Sequence, residues 1–349
     1  MKTDIDITPF DNCPALGGYH CQTNSLAKIF HYNGRPISED MLLGIDAGMG
    51  FIYWHQKGMS PFIGGRGNKN FFQDLGKRVG VRIGVKSTSS ERKAESSILE
   101  KLSMKQPVMV YGDMGFLPWF DLPEGYHFGG HMFVICGYDG EETLLASDID
   151  QKASGFKAGF YYSITLEQLR KARASQYKPY PPKNTYLEFD FSAYHPPTVN
   201  DVYSAINQTV ESMINAPISN LGVRGIRRSA NEITKWPHIF EDMELRMNLF
   251  TIYVFIEISE IGGGCFRYMY SRFLKEAAQI TSNQALEKAA SMIHESGKRF
   301  TELGLLFKDS ETVTNLEERL TEGSGRFVEI AEMEEEAFIY LSENIPKAR

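Results

Sequence analysis

Hydrophobic and polar positions follow two different rhythms along the chain, and the change falls near residue 194. In the first half the apolar runs are short. Residues 106–112 (QPVMVYG) and 131–138 (HMFVICGY) read as buried strands, followed by 142–147 (ETLLAS) and 160–164 (FYYSI). Asp139 and Gly140 supply the positive φ angles of a tight turn, so the strands on either side are expected to pair as a hairpin. Cys21–Tyr32 places Leu26, Ile29 and Phe30 at helical spacing, and Gly17 and Gly18 mark a turn into that helix.

Residues 177–197 contain Pro179, Pro181, Pro182, Pro196 and Pro197. Proline blocks helix interiors and central strands, so this stretch is expected to be an extended crossover. The domain boundary is placed at its end, giving a first domain over 1–194 and a helical domain over 195–349. In the second half, 201–215 puts Val202, Ala205, Ile206, Val210 and Met213 on one face, and 284–307 and 315–341 show helical periodicity with charged faces. Residues 243–258 suit either a strand or a helix, and their helical neighbours favour a helix. The expected fold class is α+β: an antiparallel-sheet domain followed by an all-α domain.

A chain of 349 residues can bury two cores of ordinary size. The formal net charge of -7 opposes a nucleic-acid partner. The longest strongly apolar run, 249–258, is about half of the roughly 20 residues that span a bilayer, so no membrane association is expected. The opening MKTDIDITPF carries acids where an export signal would be apolar, which points to a cytoplasmic protein. Cys13, Cys21, Cys136 and Cys265 are widely spaced with no CxxC pair, which argues for free thiols and against a disulfide framework or a structural zinc site.

The candidate chemistry lies in three segments. GGYHCQTNSL sets Cys21 at a helix start, where backbone N–H groups and the helix dipole stabilise a thiolate and can hold an oxyanion. HFGGHMFVICGYD opens a strand with His131 directly after Gly129 and Gly130, which would let a substrate approach the imidazole. LLASDID ends the next strand with Asp148 and Asp150; alternation turns Asp148 away from Ser147, and Asp148, closer to the root of the strand, is the preferred partner of His131. Each feature alone has a plainer explanation: a packed cysteine, a structural histidine, a capping aspartate. Together they give the papain-like order of Cys, His and acid. His127 and His131 as metal ligands, with Asp148 as a third, fit poorly, because the glycines between the histidines disfavour the helix that would align them. Gly64, Gly65 and Gly67 in FIGGRGNKN lack the spacing of a phosphate loop and read as a surface loop.

GGYHCQTNSL, DAGMGFIYW, QPVMVYGDMGFLPW, HFGGHMFVICGYD and ASDID resemble the N-terminal domain of the butirosin-biosynthesis protein H family. NLGVRGIRRSANEITKW and GGGCFRYMYSRFLKEAA resemble the helical domain often found behind it. The resemblance implies a papain-like cysteine fold and an acyltransferase that moves an aminoacyl group from a carrier-protein thioester to an amine. It also implies an acyl acceptor at Cys21, a proton shuttle at His131 and a supporting acid at Asp148. Bacteriocin-processing peptidases of similar fold carry a glutamine shortly before the nucleophile; here Ala15 and Leu16 stand in that region. The oxyanion donors therefore fall to the Cys21 N–H, with Asn12 and Gln22 as side-chain candidates and Asp150 on the substrate side.

Three functions compete: acyl transfer from a carrier-protein or CoA thioester to a small-molecule amine, peptide or amide hydrolysis by the same residues, and non-catalytic binding. No cofactor or metal is called for, and the oligomeric state is left open, a homo-oligomer included. Arg224, Arg227, Arg228 and Lys235 form a basic cluster that would dock an acidic carrier protein or a phosphate; the alternative is a solvated helix face paired to Glu232. Cys265, among Phe266, Tyr268, Tyr270 and Phe273, reads as a packing residue.

Overall fold

The computed structural model describes residues 7–150, 155–259 and 262–347. In chain order the elements are α1 (Cys21–Tyr32), α2 (Glu39–Ile45), β1 (Met49–Trp54), β2 (Phe62–Arg66), α3 (Phe71–Val79), β3 (Arg82–Lys86), α4 (Glu91–Ser103), β4 (Val108–Gly112), β5 (His131–Tyr138), β6 (Thr143–Ile149), β7 (Gly159–Thr165), α5 (Leu166–Ala174) and β8 (Tyr186–Asp190). Six helices follow: α6 (Val199–Ile214), α7 (Gly222–Ile233), α8 (Asp242–Tyr253), α9 (Arg267–Thr281), α10 (Ala285–Leu306) and α11 (Leu316–Asn344). Contacts divide the chain into two compact units, Met1–Leu42 with Gly80–Tyr194, and Leu43–Val79 with His195–Arg349.

The first unit is built on an antiparallel sheet of order β3-β8-β4-β5-β6-β7. The expected hairpin is β5–β6, with Val134 opposite Ser147. Its turn is held by the Asp139 carboxylate, which accepts from the N–H groups of Glu141 and Thr143, and Gly140 takes φ 91°. One sheet face packs on α4 and α5. Ile98, Leu102, Leu169 and Ala172 meet Val110, Phe133, Ile135, Leu144, Ala146 and Ile164 there, all buried. Each such large side chain contributes about 1.5–3 kcal/mol on burial. Helix starts are marked chemically: Ser90 caps α4, and Thr165 forms a capping box with Gln168 at α5.

The proline-rich stretch departs from expectation. It carries β8, which lies inside the sheet between β3 and β4. Pro179, Pro181 and Pro182 precede the strand and Pro196 and Pro197 follow it, so the prolines bracket a proline-free run instead of excluding one. The buried Arg173 guanidinium ties this region together by donating to the carbonyls of Ala94 and Asn184.

The second unit is mostly helical, as the periodicity predicts, and 243–258 is helical: α8 runs into a π-helical turn at Val254–Ile258. Two features correct the sequence reading. Leu43–Val79 belongs to this unit, not to the first, and it brings in an antiparallel pair, β1–β2, so the unit is not purely α. The glycines of FIGGRGNKN accordingly lie in or beside strand β2 and not in a surface loop. At the centre, Arg267 and Glu334 form a fully buried bidentate pair at 2.6 and 2.9 Å. Ser296 Oγ donates to the same carboxylate, and the guanidinium also donates to the carbonyls of Gly50 and Cys265. Among the described residues, no helix is long and apolar enough to cross a membrane.

Candidate active site

Helix α1 begins at Cys21 because the chain before it is held extended. His20 (φ -136°, ψ 129°) is the N-cap, and its imidazole accepts from the Thr23 N–H. The strap ahead of it pairs with the start of β7: Gly18 and Lys157 exchange two backbone hydrogen bonds of 2.8 and 2.7 Å. A Cβ at Gly17 would come within 2.7 Å of the Lys157 carbonyl oxygen, so glycine is what lets the two backbones close. The Glu39 carboxylate completes the entry by accepting from the Tyr19 N–H at 2.8 Å, the Thr23 hydroxyl at 3.1 Å and the His20 N–H at 3.4 Å. Burial pushes its pKa up to about 7, and those donors oppose the rise.

Helix α1 packs along β5, where Ser25 Oγ donates to the Met132 carbonyl at 3.2 Å. Cys21 opens the helix one turn before Ser25, and His131 opens the strand that α1 contacts. Cys21 is 8% exposed, while His131 and Asp148 are 0% and 1%.

His131 Nε2 bonds Asp148 Oδ2 at 2.7 Å. The strand register makes Asp148 the diagonal neighbour of His131, within reach of a long side chain. The same carboxylate oxygen accepts from Trp119 Nε1 at 2.9 Å, and Oδ1 accepts from the Ile149 N–H at 2.8 Å. With Nε2 donating to this carboxylate, Nδ1 is the basic nitrogen of the neutral imidazole. Phe120 stands edge-on to the imidazole at 5.0 Å, and Tyr162 stacks on Trp119 at 4.9 Å. Burial and the Asp148 carboxylate push the Tyr162 hydroxyl up to about 12. Lys28 is fully buried, and burial lowers its pKa while Asp148 opposes that shift. Its Nζ has no hydrogen-bond partner among the described residues.

Gln22 follows Cys21 in the first turn of α1, and Asp150 lies just past β6. Asn12 is exposed in a left-handed turn, its carbonyl 3.5 Å from His31 Nδ1. His31 is ten residues along α1 from Cys21, about 15 Å at the helical rise, so Asn12 sits at the wrong end for an oxyanion donor. The space at Gly129 and Gly130 is filled by Tyr180, Pro182 and Phe128, not left open for a substrate. Arg227 makes a two-pronged pair with Glu335, Arg228 bonds Ser219 and Asn220, Lys235 bonds Glu232, and Arg224 is exposed. Cys265 is fully buried, as its aromatic neighbours suggested, and the described cysteines are all free thiols. His127 and His131 bond different carboxylates, Asp113 and Asp148. Among the described residues, no group of three or more His, Cys, Asp or Glu is arranged to hold a metal ion.

The sequence reading missed Trp119 and Glu39. Both act through a partner that is distant in the chain. The only local sign was the acid at the start of α2.

Two family models match this chain. Butirosin biosynthesis protein H, N-terminal, covers residues 20–148, and Domain of unknown function (DUF4872) covers 167–341. The chain belongs to the butirosin biosynthesis protein H-like family. The first match runs from the N-cap of the Cys21 helix to Asp148, so it spans the three candidate residues Cys21, His131 and Asp148. No curated protein matches the chain.

Proposed function

We propose that this butirosin biosynthesis protein H-like chain is a cysteine-dependent acyltransferase. Cys21 accepts an acyl group from a carrier-protein or CoA thioester and passes it to a small-molecule amine. The observation that carries this reading is the buried 2.7 Å bond from His131 Nε2 to Asp148, in a chain that also sets a cysteine at the first residue of helix α1.

His131 Nδ1 takes the Cys21 proton, and the thiolate attacks the thioester carbonyl. The N–H groups of the first helical turn receive the developing oxyanion. The imidazolium, stabilised by Asp148, returns the proton to the leaving thiol. One thioester replaces another, so this step is nearly isoenergetic and suits a sulfur nucleophile. Transfer is favoured over hydrolysis by the burial of His131 and Asp148, since a water-poor pair gives an amine the advantage over water.

Intact-protein mass spectrometry after incubation with acyl thioesters tests the proposal. A mass gain of one acyl group is expected, and Cys21→Ser should abolish the thioester adduct. Persistent thioester labelling of the serine variant, or a wild-type protein that acquires no acyl group from carrier-protein or CoA donors, would remove the reading.

A further inference from the structure

A second imidazole–carboxylate pair stands beside the first. Asp113 is fully buried and follows Gly112, the residue that pairs with His131 across β4 and β5. Its carboxylate accepts from the N–H groups of Gly115 and Phe128, both at 3.1 Å, and from Ser175 Oγ at 2.5 Å. It also bonds His127 Nδ1 at 2.9 Å. The His127 ring lies flat on Tyr177, with centroids 3.4 Å apart and planes 4° apart. A Cβ at position 115 would come within 2.8 Å of Nδ1, so Gly115 makes room for the ring. The carboxylate holds the proton on Nδ1 and makes Nε2 the basic atom. In one respect the pair differs from His131–Asp148: the His127 side chain is 13% exposed, against 0% for His131.

We infer that His127, oriented by Asp113, is the base that deprotonates the acceptor amine. This inference rests on the acyl-transfer reading, and the proton count asks for such a group. An alkylamine at neutral pH arrives as R–NH3+ and leaves as an amide bearing one N–H, so it sheds two protons. One passes through His131 Nδ1 to the Cys21 sulfur as the C–N bond forms and the C–S bond breaks. The other must leave before attack, because an ammonium has no lone pair. His127 Nε2 takes that proton and releases it to solvent, with the buried Asp113 stabilising the imidazolium. Hydrolysis would need no second base, since water attacks after losing a single proton to His131.

The test uses the full chain, an acyl N-acetylcysteamine thioester as donor and two acceptors. Propylamine is protonated at neutral pH, and hydroxylamine is not. In His127→Gln, acyl-Cys21 should form at the wild-type rate and hydroxylamine should still discharge it. Transfer to propylamine should fall about 10²–10⁴-fold and recover as the pH rises toward the amine's own pKa. An unchanged propylamine rate would overturn the inference. An equal loss in loading and in both transfers would overturn it too, by assigning His127 a structural role. Asp113→Asn should reproduce the selective loss in weaker form if it folds; loading reports whether it has. A wild-type protein that never loads removes the proposed function itself, a separate outcome.

Discussion

Each unit of the molecule buries a nitrogen base paired with a carboxylate and gives the carboxylate a further neutral donor, yet the two pairs are suited to different work. In the first, His131 and Asp148 share the acid with the Trp119 indole. In the second, Arg267 and Glu334 share it with the Ser296 hydroxyl. The wiring is alike; the proton affinity of the base differs. A guanidinium never gives up its proton near neutral pH, and Glu334 further favours its charged form, so that pair can only hold structure together. An imidazole changes charge in the physiological range, and with one nitrogen fixed by Asp148 the other can carry protons. In the proposed reaction the Cys21 thiol, at the start of α1, would draw on that capacity.

The comparison breaks most sharply at the sulfur. Cys21→Ala should lower acyl transfer by on the order of a million-fold, as loss of a nucleophile does in other triads, with little change in unfolding temperature. Asp148→Asn should lower the rate about 10³–10⁴-fold by favouring the wrong imidazole tautomer, checked by single-turnover kinetics. In the second unit the large effect falls on stability. Glu334→Ala strands a buried guanidinium and should cost about 3–5 kcal/mol in urea unfolding, and replacing both Arg267 and Glu334 with apolar residues should recover much of that. Trp119→Phe tests the shared-donor element. It removes one charge-assisted hydrogen bond worth about 1.5–3 kcal/mol, and it should move the pH dependence of Cys21 alkylation while the fold persists.

Glu39 gives an effect whose sign can be worked out. Its folded pKa, about 7, lies above its ordinary value of 4.5, so the folded state binds the proton more tightly. Its contribution is therefore fully present below the ordinary value and is lost as the pH rises through about 7. Glu39→Gln should flatten the fall in stability across that window, read by urea unfolding at a series of pH values. A slope as steep as that of the wild type would show that another group is responsible.

Much of the first unit was legible in the chain. The Cys21 helix, the β5–β6 hairpin and the three triad candidates each announce themselves locally, by helical spacing, a tight turn and strand alternation. Strand β8 was hidden because prolines crowd the segment that holds it, and composition over a window does not show where the gap lies. It also falls within the stretch matched by the second family model, so the sheet of the first unit uses residues from both matched regions. The placement of Leu43–Val79 was hidden for a different reason. A two-stranded pair and one short helix look like part of any α+β domain until their contacts are known.

The sequence by itself determined which side chains can carry chemistry and the local conformations that present them, because capping, turn geometry and hydrophobic period act over a few residues. Only the tertiary structure decided which of those groups meet. Trp119 joins Asp148, Asn12 is carried to the far end of α1, and His127 finds Asp113. Those choices depend on strand register and helix direction, which are set by packing summed over many distant positions and leave no mark at any one of them.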